Sequence, residues 1–232
     1  GYTPSDVALL TYDDARNQTL LAFAQAHGIE VQTFSCKSDA CYEWVQTQQF
    51  DVLLSLYYRH IIPAHILDLF PQRAANLHAG LLPQYAGCWS SAWSIINGEK
   101  IAGYTWHYMT PEVDAGRIIQ PGSTYITPTD TAFSLYHRIL QLGVRDLLSV
   151  LKDVQNGYEG YSQDRENTPC RYYSRAVPFN GYIQPEWDTE QVERFIRAMW
   201  FPPFKGAMLK LTDGSEREIL SMKEYRKAIK YA

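Results

Sequence analysis

Three polar side chains in one stretch of the chain are equipped to do chemistry together: Asn76, His78 and Asp114. Asn76 and His78 flank Leu77 at the end of a strand-like run, so in an extended backbone both point to the same side. Asp114 arrives later, at the mouth of the run Ile101–Met109. A neutral imidazole with a carboxylate to set its tautomer, beside an amide N–H donor, suits acyl transfer to a nucleophile that the protein does not supply. In that chemistry Asn76 donates to a developing oxyanion, His78 takes or relays a proton, and Asp114 orients His78. Neither serine nor cysteine is placed as a nucleophile; Cys88, the nearest thiol in sequence, carries no mark of activation. No covalent acyl-enzyme and no metal are expected. Taken singly, each residue also has an ordinary structural reading: a turn cap, a satisfied core histidine, a turn ahead of Gly116. The ordered set is what points to chemistry. His107 reads as a packed or edge histidine within its own strand.

The elements that must position these groups are those of an open α/β sheet, in which functional side chains gather at carboxyl strand ends. Val7–Tyr12, Ile29–Phe34 and Asp51–Leu56 are short apolar or β-branched runs and are predicted strands. A helix capped by Asp13 or Asp14 and ended by Gly28 joins the first pair, and a short helix over Ala40–Gln48 joins the second. This β-α-β-α-β order implies a Rossmann-like α/β fold, with a mostly parallel sheet and helices on both faces. No Gly-x-Gly-x-x-Gly follows the first strand, so a dinucleotide site is unsupported. Ala64–Phe70 is a short helix leading to the strand of Asn76 and His78. Ser90 or Ser91 caps a helix through Ile96. Ile101–Met109 is a strand, and another extended run begins at Ile118 and goes on through Tyr125 and Ile126. Asp130 or Thr131 caps one long amphipathic helix over 132–154, with Phe133, Leu135, Ile139, Leu140, Leu147, Leu148 and Leu151 on its buried side. Residues 157–183 read as loops and short strands. Asp188 opens a further helix, and a β-hairpin with a turn at Gly214 follows it. Lys223–Lys230 is a basic tail, read as a solvated face or as a final helical turn or two.

The wording of the central stretch resembles the N10-formyltetrahydrofolate-dependent formyltransferase family, whose signature runs Asn-x-His-Pro-Ser-Leu-Leu-Pro and, further on, Asp-x-Gly-x-Ile. Asn76, His78, Leu81, Leu82 and Pro83 match, as do Asp114, Gly116 and Ile118; Ala79 and Gly80 stand where the family usually has Pro-Ser. The resemblance implies Asn76, His78 and Asp114 as catalytic groups and N10-formyltetrahydrofolate as co-substrate. It implies a folate site built from Tyr57, Tyr58, Ile62, Leu82, Met109 and Gly116. The run Phe201-Pro202-Pro203-Phe204-Lys205-Gly206-Ala207 looks like the branch that formylates nucleotide-linked amino-dideoxyhexoses for bacterial surface polysaccharide (O-antigen). By that likeness Phe204 would stack on the nucleobase and Lys205 would lie near the diphosphate, with Arg197 and Tyr85 also on the sugar nucleotide. Paired prolines hold a ring rigidly, and an ammonium suits a phosphate. The same likeness divides the chain into a catalytic domain over 1–156 and a substrate-binding and dimerisation segment over 157–232. Its partner would be a dTDP- or GDP-linked amino sugar rather than a UDP-linked one, and its assembly a homodimer. The other readings are transfer to another amine (aminoacyl-tRNA, a carrier-bound amino acid, glycinamide ribonucleotide) and a folate- or nucleotide-binding module without turnover.

Composition narrows the field. Apolar residues make up 46% and charged ones 20% of 232, which is globular. A net charge of −4 argues against a broad nucleic-acid footprint, and no apolar run is long enough to span a bilayer. No leader peptide is evident at the start. Cys36, Cys41, Cys88 and Cys170 lack zinc-ligand spacing and are expected as free thiols in a reducing cytoplasm. The 17 tyrosines suit stacking on flat rings, or ordinary core filling.

Overall fold

A computed structural model describes residues 2–230. It is an α/β fold whose central four-stranded sheet has the order β3-β4-β6-β7: β3 (Leu53–Leu56), β4 (Ala74–His78), β6 (Ile101–Tyr108) and β7 (Ile118–Tyr125). The parallel order read from the N-terminal half holds for β1 (Ala8–Leu10) with β2 (Glu30–Gln32), and for β3 with β4. The sheet as a whole is mixed, because β4–β6 and β6–β7 are antiparallel. The loop that joins β6 to β7 is too short for a crossover, so the chain must turn back on itself. That turn carries Asp114.

Period-2 alternation along the strands divides the interior into two cores, with helices on both sides. Ala75 and Leu77 of β4 pack with Tyr104, Trp106 and Tyr108 of β6. Against them lie α4 (Ser90–Ile96), α5 (Ala132–Arg145) and α6 (Leu147–Gln155), through Ile95, Leu135, Ile139, Val150 and Val154. The other face, with Ala74 and Leu53, packs on Cys41 and Val45 of α2 (Asp39–Gln48) and Ile66 and Leu67 of α3 (Ala64–Leu67). Fully burying one such Leu or Ile contributes about 1.5–3 kcal/mol. α1 (Gln18–Ala26) starts later than expected, with Asn17 rather than Asp13 or Asp14 at its N-cap position.

The long helix expected over 132–154 is two. Thr131 caps α5 by accepting from the Ser134 N–H, and Asp146 separates α5 from α6. The break rephases the apolar face: Val150 and Val154 are buried, whereas Leu148 is 59% exposed. A third core joins α7 (Thr189–Met199), the hairpin β9 (Ala207–Lys210)–β10 (Glu216–Ile219) and α8 (Met222–Ala228). The basic tail is therefore a helix capped by Ser221, with Tyr225 and Ala228 packed inward. Among the described residues no helix is long and apolar enough to cross a membrane.

Candidate active site

Antiparallel pairing of β4 with β6 sets Asn76 opposite His107 and His78 opposite Thr105. Residues directly opposite share a face. Since Leu77, Tyr104 and Trp106 take the core face, Asn76, His78, Thr105 and His107 must take the other. Between β6 and β7 the register shifts at Trp106/His107, leaving Ile119 as an extra residue on β7 just after the Asp114 turn, where bulges beside functional sites are common. Thr105, fully buried, holds the adjoining loop by donating to the Gly80 carbonyl at 2.8 Å and accepting from the Leu82 N–H at 3.1 Å.

Asp114 joins them from the β6–β7 turn in the left-handed region, at φ +54°, which aspartate tolerates better than most residues. Its Oδ2 accepts from the Gly87 N–H at 2.7 Å and lies 3.5 Å from His78 Nδ1; its Oδ1 lies 3.5 Å from His107 Nε2. Burial pushes this carboxyl up, but in the acid range His107 and His78, once protonated, outweigh it together with the Gly87 N–H and hold it at about 2. Asp114 is thus ionised at neutral pH.

The ring environments fix the tautomers. His78 Nε2 lies 2.6 Å from the Tyr85 carbonyl, so Nε2 carries the proton and Nδ1 faces the carboxylate. Burial pushes the His78 pKa down, against the pull of Asp114 and of the Tyr85 carbonyl. The ring is therefore neutral at rest, yet flanked by two acceptors ready for its protonated form. His107 Nδ1 donates to the Tyr108 carbonyl at 2.8 Å, which leaves Nε2 to accept from Asn76 Nδ2 at 3.1 Å. That bond aims the Asn76 amide and leaves its second N–H unused.

The structure brings Asn76, His78 and Asp114 together, and adds to them His107, which the sequence offered as a packed or edge histidine. The alternation Tyr104-x-Trp106-x-Tyr108 was a usable signal, because it puts His107 on the face opposite the aromatic core. The expected folate residues divide. Leu82 packs with Ala86 and Ile118, and Gly116 shares the Asp114 turn. Parallel register sets Ser55 beside Asn76 and Leu56 beside Leu77, so the loop of Tyr57, Tyr58 and Ile62 leaves the same carboxyl edge as His78. Tyr57 lies edge-on to Tyr136, Tyr58 stacks on Tyr12 at 4.9 Å, and Ile62 and Met109 belong to the α2–α3 core.

The expected sugar-nucleotide residues fare differently. The Tyr85 side chain is turned into the protein: its hydroxyl donates to Glu99 at 2.6 Å and accepts from Asn97 at 3.2 Å. What Tyr85 gives the site is its carbonyl. Arg197 forks onto Glu193 and donates to the Asp130 carbonyl at 2.8 Å, beside a cavity of about 190 Å³ lined also by Thr131, Ile196, Trp200 and Leu220. Phe204 is 60% exposed and edge-on to Trp89, and Lys205 is exposed.

With this geometry in hand, comparison with known proteins is direct. The formyl transferase family model matches residues 7–151. The chain belongs to the formyl transferase family. It is 38% identical to the GDP-perosamine N-formyltransferase of Brucella melitensis biotype 1, over 95% of this chain and 84% of that one. Among solved structures, the 4-N formyltransferase from Francisella tularensis aligns with a TM-score of 0.74 at 22% identity, over 92% of this chain and 85% of that one. The N-formyltransferase from Helicobacter canadensis, solved with folinic acid and dTDP-3-aminofucose, aligns with a TM-score of 0.74 at 24% identity, over 94% and 78%. The formyltransferase family read from the Asn76 and Asp114 motifs is borne out.

Proposed function

We propose that the protein transfers a formyl group from N10-formyltetrahydrofolate to the amino group of a nucleotide-linked amino-dideoxyhexose, with a GDP-linked perosamine-type sugar as first candidate. The observation that carries this reading is the spare Asn76 N–H, aimed by His107 and set beside a neutral His78 that backs onto an ionised Asp114. The nucleotide and sugar rest on the Brucella relative, 38% identical.

The folate fits the residues present. The Tyr57 and Tyr58 hydroxyls, with that of Tyr12 stacked on Tyr58, are buried with no hydrogen-bond partner, which costs free energy unless a ligand satisfies them. Burial pushes the Tyr57 and Tyr58 phenol pKa values well up, so both stay neutral donors. When bound, N10-formyltetrahydrofolate supplies a formyl carbonyl open to attack by an amine. Asn76 then donates its free N–H to the oxygen where negative charge develops. His78 receives the amine proton on Nδ1, between its ring and the Asp114 carboxylate, while Nε2 stays on the Tyr85 carbonyl. Asp114 stabilises the imidazolium so formed and needs no proton itself; as the bond from the formyl carbon to N10 breaks, His78 passes that proton on to the leaving nitrogen. Phe204, exposed and edge-on to the half-buried Trp89, offers an aromatic face for a nucleobase, with Lys205 beside it for a phosphate.

Mass spectrometry of reactions offering N10-formyltetrahydrofolate with GDP-, dTDP- and UDP-linked 3-amino and 4-amino dideoxysugars tests this. A gain of one formyl group on the GDP-linked 4-amino sugar is expected. Transfer only to a dTDP- or UDP-linked sugar would overturn the nucleotide assignment. Transfer to none, with folate still bound, would move the acceptor to another class of amine.

A further inference from the structure

The connector between α6 and α7 has little regular structure, yet it grips both loops that carry the catalytic groups. At its start, Arg117 donates to the Glu159 carbonyl at 2.8 Å, the Gly160 carbonyl at 2.7 Å and Ser162 Oγ at 3.1 Å, while Ile118 and Tyr161 exchange backbone hydrogen bonds. This registers the connector against the root of β7. Gln163 then spends both hydrogens of its amide on the Asp114 turn, donating to the Asp114 carbonyl and the Gly116 carbonyl, each at 2.8 Å. Arg165 adds an ion pair to Glu112 at 2.9 Å.

Further on, the connector adds a short strand, β8 (Tyr172–Tyr173), parallel to β5 (Ala86–Gly87). The Tyr173 carbonyl accepts from the Cys88 N–H at 2.8 Å. Gly87, at φ +89°, lets that carbonyl come so near that a Cβ could not be accommodated. The Tyr173 ring is stacked between Tyr85 at 5.6 Å and Trp93 at 4.7 Å, and its hydroxyl accepts from Asn97 at 3.0 Å. The loop so held supplies the Tyr85 carbonyl to His78 and the Gly87 N–H to Asp114.

We propose that this connector, residues 159–175, is a strap that sets the His78–Asp114 geometry from both sides, with Gln163 as its principal positioning residue and Tyr173 as the second. The physical reason is the Asp114 backbone. A non-glycine residue at positive φ is costly to hold, and the Gln163 amide ties the Asp114 and Gly116 carbonyls that leave that kink, with Arg165 adding a longer bond to the first at 3.4 Å. Loosening it frees the carboxylate to drift from His78 without removing any group that touches substrate. The proposal rests on the formyl-transfer reading for its kinetics but not for its structure.

The test is Gln163→Met, which removes both donors and keeps the side chain's length. With a transferable substrate, kcat is expected to fall about 10- to 100-fold, the scale of a small misplacement of a catalytic group, with both KM values within about twofold of the parent. In an Asp114→Asn background the same change is expected to cost almost nothing, because the two substitutions act on one element. Tyr173→Ala is expected to show the same split at smaller amplitude, and Tyr173→Phe, which keeps the stack, to restore the parent kcat. An unchanged kcat, or a loss that adds in full to that of Asp114→Asn, would overturn the strap. Ring NMR of His78 reads the same geometry without turnover. Gln163→Met is expected to move its titration midpoint, and an identical titration curve would overturn the proposal. A parent protein that transfers no formyl group while the His78 titration still responds to Gln163→Met would refute the reaction and keep the strap.

Discussion

The β4–β6 face and the C-terminal aromatic surface are built on opposite plans. On the first, His78, His107 and Asp114 are each nine-tenths or more buried, and every polar atom described there faces a named partner at 2.6 to 3.5 Å. On the second, Phe204 is 60% exposed, Lys205 is exposed, and the ring contacts are edge-on to Trp89 and tilted to Phe201. The first arrangement fixes protonation states and directions before anything binds, which is what transition-state stabilisation requires. On the proposed function the second offers flat area and charge to a sugar nucleotide, which would lower KM without touching the chemical step. Substitutions should therefore separate cleanly, with kcat effects on one face and KM effects on the other.

The largest expected effect is at Asn76. Asn76→Ala removes the aimed N–H and is expected to lower kcat about 10²- to 10³-fold, with the sugar-nucleotide KM little changed in steady-state assays. Gly80 sharpens the contrast within the catalytic face. A Cβ there would lie 2.6 Å from the Tyr85 carbonyl and 2.7 Å from His78 Nε2. Gly80→Ser, which installs the family's usual residue, is expected to displace that pair and reduce kcat about tenfold. On the other surface, Phe204→Ala is expected to raise the sugar-nucleotide KM about tenfold, as stacking of a base is worth ~1–3 kcal/mol, and to leave kcat near the parent value. A fall in kcat with constant KM in Phe204→Ala would break the division.

The smallest effect is one of stability. Because burial lowers the His78 pKa, the unfolded chain binds that proton first. Unfolding free energy is thus expected to fall as pH drops below about 6.5, and His78→Gln is expected to flatten that slope in urea unfolding. Asp114 acts later: its contribution is present above 3.8 and is lost as pH falls toward about 2.

Much of this was legible in the residues, for reasons that can be named. Asn76 and His78 lie on one short strand, so alternation alone puts them on one side, and Asp114 follows at motif spacing. The pairing of His107 with Asn76 depends on which strand lies beside β4 and in which direction, and no local pattern encodes that. The same holds for Tyr85, which the family likeness put on the sugar nucleotide and whose backbone carbonyl instead meets His78. Apolar periodicity runs through Asp146 without interruption, which hid the break between α5 and α6. The connector looked featureless because its hydrogen bonds go to loops far away in sequence rather than to its own neighbours.

The most direct test of the account is the formyl-transfer rate of His78→Gln with both substrates saturating, on the sugar nucleotide that the parent protein formylates. Glutamine keeps a donor toward the Tyr85 carbonyl and cannot take a proton at neutral pH. A fall in kcat of about 10²-fold or more is expected, with both KM values held. Transfer at the parent rate would contradict the assignment of His78 as the proton acceptor, and with it the reading of the β4–β6 face as the catalytic centre.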